Sequence, residues 1–153
     1  MGIMQSFREK SSSLPRSGTY CLVLRVCQEA YVRYVGALGR MEYAAGYYCY
    51  AGSAMKHLPQ RIERHFRRTG KRNHWHIDYF RSGARVRGAV VWRTEDNREC
   101  EVSAAVECDS AEAIKGFGAS DCHCSTHLYR FDCSPMDRLS TCRPEGVEPV
   151  ILS

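Results

Sequence analysis

One stretch, residues 19–26 (TYCLVLRV), constrains the fold of this chain more than any other. Its β-branched and aromatic residues read as a strand. Residues 31–38 (YVRYVGAL) and 47–52 (YYCYAG) repeat the signal, the first ending at Gly39 and the second opened by Gly46. The period then changes. Across residues 55–68, Leu58, Ile62, His65 and Phe66 recur at helical spacing with charges between them. Pro59 falls in the first turn, where proline is tolerated, and Thr69-Gly70 ends the run. A short helix is expected over 74–80, a strand over 86–93 (VRGAVVWR), a helix over 97–108 and a last strand over 128–131. This order specifies an α+β fold, a small mixed or antiparallel central sheet flanked by helices. At 153 residues the chain has room for one domain with a real core. Residues 1–17 read as a flexible leader, 18–131 as the domain and 132–153 as an irregular tail.

The net charge of +5 is modest, but it is unevenly placed. Between Lys56 and Arg93 stand eleven Lys/Arg and two acids, Glu63 and Asp78, a net +9. The remainder carries eleven basic and fifteen acidic residues, a net −4. A stripe of that density suits a polyanion, because each neutralised phosphate releases counterions. Lys56, Arg64, Arg67, Arg68, Lys71, Arg72, His74 and His76 are its candidate nucleic-acid contacts. No apolar run approaches the roughly 20 residues that span a bilayer, and the first residues lack an apolar signal core. An intracellular protein without membrane contact is therefore expected.

In-line cleavage of a phosphodiester needs a group that orients or deprotonates water. It also needs one that neutralises the phosphate and one that stabilises the leaving oxygen. Arginine suits the second task and a carboxylate-held metal the third. Tyr20 and Tyr50 lie in strands, Arg61 and His65 share a helix face, and Glu99 and Glu101 open a later helix. By themselves these are also ordinary packing tyrosines and a wet helix surface.

The motifs sharpen the reading. Gly18-Thr19-Tyr20 and Tyr50-Ala51-Gly52 resemble the two elements that give GIY-YIG nucleases their name. The stretch GSAMKHLPQRIERHF is similar to their arginine- and histidine-bearing helix. The resemblance is closer to the Uri-type endonuclease branch. It rests on residues 46–54 (GYYCYAGSA), 74–79 (HWHIDY), 99–101 (ECE) and 116–128 (GFGASDCHCSTHL), and it covers roughly residues 17–131. It implies catalytic roles for Tyr20, Tyr50, Arg61, His65 and Glu99. One divalent ion, Mg2+ or Mn2+, would sit on Glu99, with Glu101 as the alternative. Thr19 and Ala51 replace the family's isoleucines as core-facing substitutions. The asparagine with which the family often ends is missing, and Ser120, Asp121 and His123 stand there instead. The expected activity is a metal-dependent endonuclease acting on nucleic acid, DNA before RNA. The alternative is a catalytically weak binding module of the same fold. No separate DNA-reading module fits in 153 residues, so high sequence specificity would need dimerisation or a partner; the chain is expected as a monomer or a homodimer.

Nine cysteines, an odd number with no secretory signal, read as reduced thiols. Cys21, Cys27 and Cys49 fall in apolar runs, where cysteine behaves as a small hydrophobe. Cys122, Cys124 and His127 resemble zinc ligands, but the C-x-C spacing is tight for one tetrahedral ion and no second pair is obvious. A structural turn with buried thiols is the preferred reading there. In residues 74–78 (HWHID), packing by Trp75 and Ile77, with a histidine bonded to Asp78, is preferred over a metal site.

Overall fold

The computed structural model describes residues 2–29, 31–67, 72–118, 124 and 126–153. Its centre is β1 (Gly18–Val26), paired antiparallel to β4 (Gly46–Ala54) on one side and to β5 (Arg85–Arg93) on the other. Tyr20, Leu22 and Leu24 point to one face of β1 and Thr19, Cys21 and Val23 to the other, and all six are buried. A strand apolar on both sides belongs in the middle of a sheet with both faces covered, and this one is.

The sheet has six strands in the order β6-β7-β4-β1-β5-β8, where β6 is Glu112–Ala113, β7 is Leu128–Phe131 and β8 is Pro149–Leu152. Every pairing within it is antiparallel. One face carries α1 (Ile3–Lys10), α2 (Leu58–Phe66) and α3 (His76–Arg81). A separate antiparallel hairpin, β2 (Tyr31–Tyr34) with β3 (Arg40–Tyr43), closes on the same side. Tyr31, Tyr43, Tyr48, Phe80 and Phe117 fill that layer with mostly edge-to-face ring contacts. The other face is covered by α4 (Glu99–Glu107) and α5 (Met136–Ser140), whose Val102, Val106 and Leu139 pack on Cys21, Val23, Ala51 and Trp92. The expected α+β architecture is therefore present.

Four local expectations change. Residues 1–17, expected as a flexible leader, include α1, and Phe7 and Leu14 are buried, Phe7 edge-to-face on Phe66 at 6.1 Å. The presumed tail supplies α5 and β8. Leu152 is fully buried, β8 pairs with β5, and the Trp92 indole donates to the Cys142 carbonyl at 2.9 Å. Both segments are too short for a periodic pattern to register, and partners distant in sequence hold them. The second expected strand stops at Tyr34, and β3, unread in RMEY, is its partner. Cys27 lies just beyond β1 and is exposed, unlike the buried Cys21 and Cys49.

Candidate functional site

The inner ladder determines where chemistry can occur. Tyr20 pairs with Gly52 and Leu22 with Tyr50, so Tyr20 and Tyr50 share the α2 face of the sheet. Ser53 points to the opposite face. β7 pairs with β4 only from Tyr47 to Tyr50, and the Ala51 N–H then bonds to the His127 carbonyl at 3.0 Å. Past that point side chains from both faces meet around the end of β4. There a cavity of about 200 Å³ is lined by Tyr20, Tyr50, Gly52, Ser53, Arg61, His65, Trp75, Asn97, Glu99 and Gly118.

α2 supplies two of these groups. Its apolar stripe, Leu58, Ile62 and Phe66, is buried against the sheet and turns Arg61 and His65 inward. The Tyr20 hydroxyl lies 2.7 Å from His65 Nε2. Burial drives the Tyr20 phenol well above its usual value of 10, against the opposing pull of the Arg61 guanidinium. Burial does the same to Tyr50. Both phenols are therefore protonated at neutral pH. Arg61 lies over the Trp75 ring, 4.2 Å from its centroid, and donates to the Ser53 carbonyl at 3.2 Å. Gly52 makes the crossing of Tyr20 sterically possible, because a Cβ there would stand 2.6 Å from the Tyr20 hydroxyl.

Glu99 arrives from the other face. The Thr19 hydroxyl accepts the Arg98 N–H at 3.1 Å and contacts the Thr94 hydroxyl at 3.0 Å, which pins the start of α4 to β1. The Asn97 side-chain oxygen accepts the Glu99 N–H at 2.8 Å. One Glu99 oxygen accepts from the Ser53 hydroxyl at 3.0 Å, and the other lies 3.7 Å from His127 Nδ1. Glu101 points elsewhere, into a groove with Val102 and Cys142, and pairs with Arg98. The structure thus brings Tyr20, Tyr50, Arg61, His65 and Glu99 together and leaves Glu101 out. Ser53, Asn97 and Gly118 are lining residues that sequence reasoning missed. Asn97 was legible only as a helix start.

The basic stripe divides by role. Lys56, Arg67, Arg72 and His74 are exposed around α2. Arg64 is taken up by the buried Asp78 at 2.8 Å. Arg81 is buried and donates to the carbonyls of His65, Phe66 and Ala84, capping the end of α2. His76 Nδ1 accepts the Gly118 N–H at 2.9 Å, and burial lowers its pKa. Arg68 and Lys71 lie outside the described residues. In the segment of residues 74–78 the expected histidine–Asp78 bond is present and runs through the backbone: Asp78 accepts the N–H groups of His74 and Trp75, because an acid three residues into a helix reaches back to its first amides.

Cys124 and His127 do converge, but with Cys100 of α4, and the three form a group able to hold a metal ion. Cys122, with Ser120, Asp121 and His123, lies outside the described residues. Burial lowers the His127 pKa, against the pull of Glu99. No described helix is long and apolar enough to cross a membrane. A family model described as a domain of unknown function, DUF123, matches residues 19–146. No curated protein and no solved structure matches the chain.

Proposed function

Starting from the premise that the chain belongs to the DUF123 family, whose description names no activity, we propose that it is a metal-dependent endonuclease hydrolysing phosphodiester bonds in nucleic acid, DNA before RNA, through a site of the GIY-YIG, Uri-type kind. One observation carries this reading. Five side chains from β1, β4, α2 and α4, four of them suited to different parts of phosphodiester cleavage, line a single polar cavity.

Arg61 holds the scissile phosphate. Its guanidinium carries five donors in a planar fork, stacked on Trp75 and steadied by the Ser53 carbonyl. Tyr20 keeps its proton at neutral pH, so it is not a ready-made base. It relays instead: its oxygen accepts the proton of the attacking water while its own proton passes to His65 Nε2, 2.7 Å away. The water oxygen forms the new bond to phosphorus and the bond to the leaving oxygen breaks. Tyr50 borders the same space. Glu99 fits a hard divalent ion, Mg2+ or Mn2+. Its carboxylate is 19% exposed and faces the cavity, and such ions take one or two carboxylates and complete their shell with water. When bound, the ion supplies Lewis-acid stabilisation of the leaving oxygen. Lys56, Arg67, Arg72 and His74 extend the contact along the backbone of the nucleic acid.

The test is a panel of labelled single-stranded, double-stranded and branched DNA, and RNA, incubated with Mg2+, Mn2+ or EDTA. Cleavage is expected with metal, absent in EDTA, and reduced at least about a hundredfold in Arg61→Ala and Glu99→Gln, as for loss of one charge-stabilising group. Salt-sensitive retardation without cleavage in any metal would leave only a binding module. Cleavage that survives Glu99→Gln would overturn the assignment.

A further inference from the structure

Next to Glu99, Cys100, Cys124 and His127 each offer one ligand atom, all within 4.8 Å of one another. We propose that these three residues form a zinc site, separate from the hard-ion position on Glu99. They come from two distant parts of the chain, the first turn of α4 and the segment leading into β7, and meet only because α4 packs across the sheet.

The Cys100–His127 distance matches the ion, and the remaining pairs lie within 4.8 Å. With Zn–S near 2.3 Å and Zn–N near 2.05 Å, tetrahedral geometry puts sulfur about 3.6 Å from nitrogen and about 3.8 Å from sulfur. Cys100 Sγ stands 3.7 Å from His127 Nε2. Two thiolates and an imidazole suit a borderline-soft ion and not Mg2+. Three ligands leave one tetrahedral position for a further donor. Binding releases the two thiol protons to solvent, so the neutral pair becomes a doubly charged anion that balances Zn2+.

His127 is already aimed. It is buried, its N–H donates to the Phe117 carbonyl at 2.8 Å, and its own carbonyl accepts from Ala51. Nε2 faces the thiols and Nδ1 faces Glu99 at 3.7 Å. At zinc the second nitrogen of a ligating histidine commonly donates to a carboxylate; Glu99 is the carboxylate on that side of His127, at ion-pair distance and beyond a hydrogen bond. Cysteines that only pack look different here. Cys21 and Cys49 sit inside an apolar cluster, whereas Cys100 and Cys124 belong to neither cluster among the described residues.

The ion would join α4 to the start of β7 one residue from Glu99. That consequence for Glu99 rests on the nuclease reading; the metal site itself does not. The full chain, purified without a tag under reducing conditions and reconstituted with zinc, should retain close to one zinc per chain by elemental mass spectrometry. Cobalt should give the thiolate charge-transfer band and intense visible bands of a tetrahedral sulfur site. Cys100→Ser and Cys124→Ser should each weaken zinc retention at least about tenfold, while Cys133→Ser, an exposed cysteine beyond β7, should not. Substoichiometric zinc in the wild-type chain, a cobalt spectrum without the thiolate band, or full retention in the double Cys100→Ser/Cys124→Ser variant would each overturn the site. The cobalt measurement needs no variant, so misfolding cannot obscure it. Glu99→Gln should keep its zinc: zinc bound without cleavage in the wild type would sink the nuclease alone, and cleavage without zinc would sink this site alone.

Discussion

Among the described residues, Arg61 is held by a carbonyl and an indole face, not by a buried partner charge. Its removal should therefore lower stability by no more than about 1 kcal/mol while lowering cleavage at least about a hundredfold. A large fall in melting temperature would mean that its role is structural. Gly52 makes the opposite case. Its backbone lies so close to Tyr20 that Gly52→Ala must push the phenol away from His65. Because His65 packs against the ring, the expected result is about 1–3 kcal/mol of destabilisation together with loss of cleavage. Retained cleavage in a folded Gly52→Ala would contradict the relay. Residue identities at these places were readable in advance. The need for glycine opposite Tyr20 was not, since the register of β1 against β4 creates it.

At the scale of elements, α3 depends on one carboxylate. Asp78 Oδ2 accepts from His74 N–H, Trp75 N–H and Arg64, each within 3.0 Å. Burial alone would raise its pKa, but these donors lower it below the ordinary 3.8. The folded state therefore prefers the ionised form. The stability this contributes is complete above the unfolded pKa and is lost as pH falls through the lower folded one. Asp78→Asn, which leaves Arg64 without its anion, should cost about 3 kcal/mol near neutrality and flatten the acid limb of a melting-temperature profile. An unchanged acid limb would refute this. α4 depends likewise on Thr19, whose hydroxyl holds the Arg98 N–H. From the sequence, Thr19 read as a core-facing replacement for an isoleucine. It is core-facing, and it also anchors the helix that carries Glu99.

For the molecule as a whole, tyrosine burial sets the alkaline limit. Tyr20, Tyr43, Tyr48 and Tyr50 are all raised above 10, in each case chiefly by burial. The folded state keeps protons that the unfolded chain gives up near pH 10. Stability from this source is therefore full below that pH and declines as pH rises beyond it. Tyr43 is the cleanest probe, since its hydroxyl is buried without a hydrogen-bond partner among the described residues. Tyr43→Phe should be neutral or stabilising by up to about 1 kcal/mol at pH 7 and should shift the alkaline unfolding midpoint upward. A loss of more than about 1 kcal/mol would point to a bond the hydroxyl makes.

Local patterning alone determined much of this protein. The strands β1, β4, β5 and β7 and the helices α2 and α4 were readable because each is long enough, or apolar enough, for its own period to register. The five cavity residues followed from motifs that lie on those same elements. Tertiary structure decided what depends on neighbours distant in the chain. It gave β8 and α1 their place, because short apolar segments fold only against partners. It chose Glu99 over Glu101, because helix phase relative to Ser53 is not written in the spacing E-C-E. It brought Cys100, a residue no spacing within 122–127 could point to, beside Cys124 and His127, because Cys100 and His127 meet only once α4 lies across the sheet. It also turned part of the basic stripe inward, committing Arg81 and Arg64 to carbonyls and a buried acid. A charge count cannot separate such residues from those that face solvent.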